Sequence, residues 1–409
     1  MGPVSQPVAR SVEFGIYRDG DNNLDESQGI TLRQALDTSS KDSRIEYTVQ
    51  DTTSLRTADD DSVEGNLRTD NFTIADGKIG QASIDKAHDM ASPKNLAQFV
   101  ARTLDNAQKS GAKHTWIELT DHGAGDGGGL EADSAHGIMS MPDIAGAIAD
   151  GVKLHAQEHP EDAGRGVDGV VANQCLMSSL GFADALSHAG VKYLAASPET
   201  MVSPGVPSDV VDAIAKNSSD PTAMGKAIVS DVMHQKYGVD GQTWGPAAAF
   251  DVLNLDSAKM RTVETSVKAL NDAIGARKND RAEVAAIRSD AKTNEGMVRF
   301  PEATPDMPWH ADRPAIALFG TLASDSRLDS ALRSLAKSAQ TAVANTVVAH
   351  QESKSFAPFD GSNYADAVGP TTHFPVNPKQ IDPWAPRVSE TNNRFFDETD
   401  AAAAERVIA

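Results

Sequence analysis

Two short apolar runs, each cut off by a polar tripeptide, constrain this chain more than anything else in it. His114-Thr115-Trp116-Ile117-Glu118-Leu119-Thr120 reads as a buried strand and stops at Asp121-His122-Gly123. The run from Val167 to Ala172 reads the same way and stops at Asn173-Gln174-Cys175. Short apolar segments bounded by turn residues fit strands buried on both faces of a sheet. In an open parallel sheet the carboxyl ends of the strands face one crevice, where ligands and chemistry collect. The pattern predicts that Cys175, the single cysteine of 409 residues, meets His122 there.

The flanking sequence supplies the rest of such a sheet. Val12 to Tyr17 reads as a first strand, Ile45 to Asp51 as a second, Val191 to Ala196 as a later one and Ala247 to Leu255 as a further one. Helical patterns alternate with them: one follows the turn Arg18 to Asp25, and one opens at Ser92-Pro93 with Leu96, Phe99, Val100 and Leu104 at helical spacing. Others run from Pro142 to about His155, and from the cysteine onward with Leu176, Leu180, Phe182 and Leu186. Residues 54–82 suggest a hairpin at a sheet edge, and Pro370 to Pro375 a short late strand. Beyond residue 256, helices are expected near 256–274 and 324–350, with a proline-rich loop over 301–314 between them. Alternation of this kind predicts a doubly wound α/β sheet followed by a helical extension.

Composition narrows the function. With 37 Lys and Arg against 58 Asp and Glu, the net charge is −21, which argues against nucleic acid or an anionic membrane as a general partner. One cysteine forms no internal disulfide. Residues 1–10 read as a loose leader without a signal-peptide core, and no stretch reaches the roughly 18 apolar residues of a membrane span. Cytoplasmic residence, with export by an unreadable route left open, and a monomeric state are the expectations.

Cysteine chemistry requires a thiolate, so the thiol pKa must fall or a base must take its proton. A strand-to-helix junction offers Cys175 the positive end of a helix dipole, and His122 offers a base. Gly123 leaves its N–H open to a developing oxyanion, with the Cys175 amide as the second donor. The alternative is a buried cysteine acting only as a small apolar residue, in a binding or scaffold protein. A third reading takes Gly123-Ala124-Gly125-Asp126-Gly127-Gly128 as a nucleotide loop with Asp143 on a ribose, but a polar stretch follows where that fingerprint requires a helix. His136 is a second candidate base. His155 and His159 have the i, i+4 spacing of metal ligands, but the sequence offers no acidic or cysteine partner, so a surface helix without metal is expected. The acidic turn Arg18 to Asp25 resembles half an EF-hand loop, with Leu24 where glycine and Ile30 where the closing carboxylate should stand.

Asp121-His122-Gly123, Asn173-Gln174-Cys175-Leu176-Met177, and Tyr193 to Ser197 with Pro204-Gly205 together resemble the clostripain family of cysteine peptidases. That family shares a clan with caspases, legumains and gingipains. Arg18 to Asp25, Phe250 to Asp256 and Gly369 to Pro375 extend the resemblance over most of the chain. It implies a caspase-like α/β/α sandwich with a mostly parallel sheet over residues 11–256, and a helical region over 257–409 packed on it. It also implies a His122–Cys175 pair, an acyl-enzyme, protein or peptide substrates cut after Arg or Lys, and self-cleavage between the two catalytic residues. Lys153 and Arg165 are the candidates there. No cofactor is expected, although calcium dependence occurs in the family. One position departs: the family usually has aspartate two residues before the cysteine, and this chain has Asn173. An amide supplies no charge to a guanidinium, so Glu199 or Asp209 would have to supply the acid, or the preference is not basic.

Overall fold

The computed structural model describes residues 10–20, 24–54, 67–86, 89–125, 129–132, 137–239, 242–245, 247–294, 311–353, 368–376, 395, 399 and 401–408. The chain begins β1 (Val12–Gly20), α1 (Asp25–Lys41), β2 (Ile45–Ser54), β3 (Leu67–Ala75), β4 (Lys78–Ile79), β5 (Ser83–Lys86), α2 (Pro93–Ser110) and β6 (His114–Thr120). It continues β7 (Leu130–Ala132), β8 (Gly137–Met139), α3 (Met141–Glu158), β9 (Gly169–Asn173), α4 (Leu180–His188) and β10 (Tyr193–Ala196). Next come α5 (Val210–Asn217), α6 (Pro221–His234), β11 (Tyr237–Val239), β12 (Gln242–Trp244) and β13 (Ala249–Asn254). The remainder is α7 (Ser257–Gly275), α8 (Arg281–Thr293), β14 (Asp312–Pro314), α9 (Ala315–Ser324), α10 (Ser330–Ala344), β15 (Val347–Glu352), β16 (Thr371–His373) and α11 (Ala401–Ile408).

The main sheet runs β15-β13-β10-β9-β6-β1-β2-β3-β4, with β5 also paired to β3. Its centre, from β10 through β9, β6 and β1 to β2, is parallel, and the strands outside it pair antiparallel. Every residue of β1 and β9 is buried, as expected of strands covered on both faces. One face carries α2, α3 and α4 through Leu96, Phe99, Ile144, Ile148, Phe182 and Leu186; the other carries α1, α5 and α6 through Ala35, Val210, Ile214 and Ile228. This is the α/β/α sandwich with a mostly parallel sheet that the sequence predicts.

Local chemistry explains the elements. Helix α2 starts with Pro93 in its first turn and ends at Gly111, whose φ of 71° suits a left-handed cap. It buries Leu96, Phe99, Val100 and Leu104, worth roughly 1.5–3 kcal/mol each on leaving water. Ser140 caps α3 by accepting from the Asp143 N–H at 3.2 Å, and donates to the Asp143 carboxylate at 2.6 Å. Asp143 is thus a capping residue. The described residues after the glycine-rich stretch form the β7–β8 hairpin, where the nucleotide fingerprint requires a long helix.

The C-terminal region has its own core, built from Val263, Leu270, Ile274, Leu318, Phe319, Leu322 and Leu332 among others. It is not purely helical. The helix expected over 324–350 begins at Ser330 and ends at Ala344; Thr346, Val347 and Val348 are β-branched, and the chain from Val347 joins the main sheet beside β13. The late strand at Thr371–His373 pairs with β14 outside the main sheet, and the Thr371 N–H donates to Ser178 O at 2.8 Å. The C-terminal region therefore grips the segment that follows the cysteine. The proline-rich loop falls mostly outside the described residues, as does most of the leader. Among the described residues no helix is long and apolar enough to cross a membrane.

Candidate active site

Strands β6 and β9 are parallel neighbours whose register ends at Thr120 opposite Asn173. Two residues further along each strand come His122 and Cys175, so the register carries the two toward the same end of the sheet. The approach there is very close. A Cβ on Gly123 would lie 2.3 Å from Cys175 O and 2.9 Å from Cys175 N, a distance that only glycine permits. The Gln174 side-chain amide donates to His122 O at 3.0 Å, and the Asp121 carboxylate accepts from the His122 N–H at 2.5 Å. Backbone contacts and a side-chain clamp thus fix the histidine segment against the cysteine segment.

Both residues line one cleft of about 220 Å³, shared with Leu24, Asp121, Asn173, Gln174, Thr200 and the loop Met201–Gly205. His122 and Cys175 are half-buried. The residue after the cysteine, Leu176, has φ 66°, a strained value for a side chain of that size, and its N–H donates to Glu199 O at 3.0 Å. Helix α4 begins only at Leu180, with Ser179 as its cap. The expected helix from the cysteine onward is therefore shortened, and Cys175 does not sit on a helix N-terminus.

Electrostatics follow from that position. Burial pushes the Cys175 thiol up; the Met201 N–H, 3.2 Å from Sγ, opposes this, and the charge of Glu199 adds to it. The thiolate favoured by a helix dipole is replaced by a thiol that keeps its proton at rest. Ionisation then requires a base, and His122 is the histidine lining the cleft.

Asn173 lies at the cleft with its amide fully engaged. Its Nδ2 donates to Glu118 Oε1 at 3.1 Å and to Pro204 O at 3.2 Å, and its Oδ1 accepts from the Val206 N–H at 2.8 Å. Gly205, at φ 79°, passes so close that a Cβ there would overlap the Asn173 side chain. Behind it, the Glu118 carboxyl is pushed up to about 7 by burial, against hydrogen bonds from Thr120 and Asn173, and its Oε2 has no hydrogen-bond partner among the described residues. Glu199 and Asp209 are not among the cleft-lining residues. Glu199 is buried beside the nucleophile segment, and Asp209 is half-buried at the start of α5, where burial raises its carboxyl. Lys153 is exposed within α3 and pairs with Asp150 at 2.8 Å; Arg165 binds Asp162 and donates to Ala112 O. His136, residues 21–23 of the acidic turn and 126–128 of the glycine run lie outside the described residues. Gln174, Met201 and Glu118 were missed in the sequence, because a glutamine, a backbone N–H and a mid-strand glutamate carry no motif.

No family model matches the sequence, and no curated protein matches it. Solved structures do. An inactive zymogen C11 protease from Parabacteroides distasonis aligns over 97% of this chain and 99% of its own, at 13% identity and a TM-score of 0.61. A secreted C11 cysteine protease from Bacteroides thetaiotaomicron, iotapain, aligns over 96% and 100%, at 14% identity and a TM-score of 0.62. A structure of a secreted C11 cysteine protease from the same organism, in complex with an irreversible peptide inhibitor, aligns over 96% and 99%, at 14% identity and 0.63. The fold is that of the clostripain-family C11 cysteine proteases. The likeness spans the C-terminal helices as well as the sandwich, so the whole architecture is shared and not only the sheet.

Proposed function

We propose that the chain is a cysteine endopeptidase with Cys175 as nucleophile and His122 as its base. The observation that carries the reading is the approach of the two strand ends. His122 and Cys175 line one cleft, with Gly123 pressed against the Cys175 backbone, in a fold shared with C11 proteases. His122 takes the thiol proton as Sγ attacks the scissile carbonyl. The Gly123 and Cys175 amides receive the oxyanion. The tetrahedral intermediate collapses as His122 returns the proton to the leaving amine, leaving a thioester at Cys175. Water, deprotonated by His122, then releases the acid. This chemistry needs no cofactor.

A basic P1 residue is the accompanying proposal, supported by the acidity of the chain as a whole, at a net charge of −21. Self-cleavage, if it follows, is assigned to Arg165 in preference to Lys153: Arg165 lies between helix and strand, whereas Lys153 lies inside α3, which would first have to unwind. The raised thiol favours a second reading, an inert cysteine in a binding protein of the same fold. An unbiased peptide library separates the two. The peptidase reading expects cleavage enriched after Lys and Arg by the wild type and none by Cys175→Ala. Equal cleavage by both proteins, or none by either after limited proteolysis between His122 and Cys175, sinks it.

A further inference from the structure

His155 and His159 are not the plain surface pair that the sequence suggests. His155 is fully buried at the end of α3, and Asp105, reaching across from α2, completes the set that the sequence left open. Asp105 Oδ1 lies 2.6 Å from His155 Nδ1 and 3.4 Å from His159 Nε2, and the two rings are 5.1 Å apart. The opposite nitrogen of each ring also faces a carboxylate: His155 Nε2 is 3.4 Å from Asp162 Oδ2, and His159 Nδ1 is 3.4 Å from Glu161 Oε1. Those outer carboxylates are held in turn, Asp162 by the Arg165 guanidinium and Glu161 by the Gln108 amide at 2.8 Å.

A proton count makes the arrangement informative. A neutral imidazole has one N–H and one lone pair. With carboxylates at both nitrogens, each neutral ring must turn its lone pair toward a carboxylate oxygen. A cation held between the two inner nitrogens and Asp105 removes that repulsion. Metal-bound histidines usually donate their outer N–H to a carboxylate, which fixes the tautomer and raises the basicity of the ligating nitrogen. Both histidines have that outer partner, and both inner nitrogens converge on one Asp105 oxygen.

We propose that Asp105, His155 Nδ1 and His159 Nε2 form a site for a divalent transition-metal ion, zinc being the best match. Imidazole nitrogen with one carboxylate suits zinc better than calcium or magnesium, which take oxygen ligands. Zinc bonds of about 2.0–2.2 Å need ligand atoms a little over 3 Å apart. The His159 to Asp105 spacing meets this, and the His155 to Asp105 contact has to widen by several tenths of an ångström. Asp105 and His159 are partly exposed, at 19% and 27% of the side chain, so an ion can enter and water can complete its shell. The ion would tie α2 to the end of α3 and to the Pro160–Asp162 turn, steadying the connection that leads into β9. The proposal does not depend on the peptidase reading.

The test uses the full chain carrying Cys175→Ala, so that the thiol cannot supply a competing ligand. After chelator dialysis, zinc is titrated calorimetrically and cobalt(II) is added as a spectroscopic probe. One equivalent of zinc should bind with a Kd under about 10 μM, raise the melting temperature by several degrees, and give a cobalt spectrum with histidine–carboxylate features. His159→Ala and Asp105→Asn, both at partly exposed positions, should each weaken binding at least tenfold and abolish the thermal shift. His188→Ala, which alters the separate Asp184–His188–Glu264 group, should change neither. No binding at about 100 μM zinc, or binding unchanged in both site variants, overturns the proposal.

Discussion

Two histidine environments in this molecule are built in opposite ways. His122 stands where a strand runs out, with its own backbone held by Gln174 and Asp121 and a cleft in front of it. His155 sits buried at the end of a helix, walled on both sides by carboxylates that are themselves held by other side chains. The first leaves its side chain facing a space where a substrate can lie, which suits a group that must move protons. The second spends its side chain on fixed partners, which suits a group that holds something still. Strand ends supply accessible groups in close register, whereas packed helix faces supply enclosed ones.

The sharpest way to break that contrast is to remove the sulfur. Cys175→Ala should abolish peptide hydrolysis and leave the melting temperature within about 2 °C, since one half-buried atom is lost. Gly123→Ala comes next. Its Cβ would collide with the Cys175 carbonyl, so kcat/KM should fall at least about a hundredfold, as measured against the preferred peptide. Gln174→Ala removes the clamp on the His122 carbonyl while keeping the His122 and Cys175 side chains themselves. A loss of roughly tenfold in kcat, with KM little changed, is the expected outcome of stopped-time assays.

The smallest effect concerns the sheet interior. Glu13, buried in β1 with Thr48 donating at 2.6 Å, has its carboxyl pushed up to about 8 by burial. Its folded-state pKa exceeds the ordinary 4.5, so its contribution to stability is present in full below that value and is lost as pH rises through about 8. Glu13→Gln should therefore raise stability at pH 8 by about 1–3 kcal/mol in urea titrations and do little at pH 4. A pH–rate limb that survives this substitution does not come from Glu13.

The same contrast decides what could be read in advance. The order of strands and helices was legible because buried strands are continuous apolar runs and helices repeat every 3.6 residues. His122 and Cys175 followed from this, since each ends a recognisable strand. Asp105 could not be paired with His155 from sequence, because fifty residues and three strands separate them and only helix packing brings them together. The helix drawn through Leu176 was wrong for a local reason: its positive φ and its bond to Glu199 O commit it to a turn before α4 begins. The strand at Val347 was hidden by the alanine-rich helix running into it, although its β-branched residues were there to read. Asn173 looked like a lost specificity acid; its neighbours show an amide committed to holding the Pro204–Val206 loop.

Covalent trapping tests the central claim most directly. The wild-type chain is incubated with a peptidyl acyloxymethyl ketone carrying lysine at P1, and the adduct is located by peptide mass mapping. The account predicts one equivalent of label on Cys175, strongly slowed by His122→Ala and blocked by a competing cleavable peptide. Failure of Cys175 to label under conditions where the chain hydrolyses peptides would contradict it.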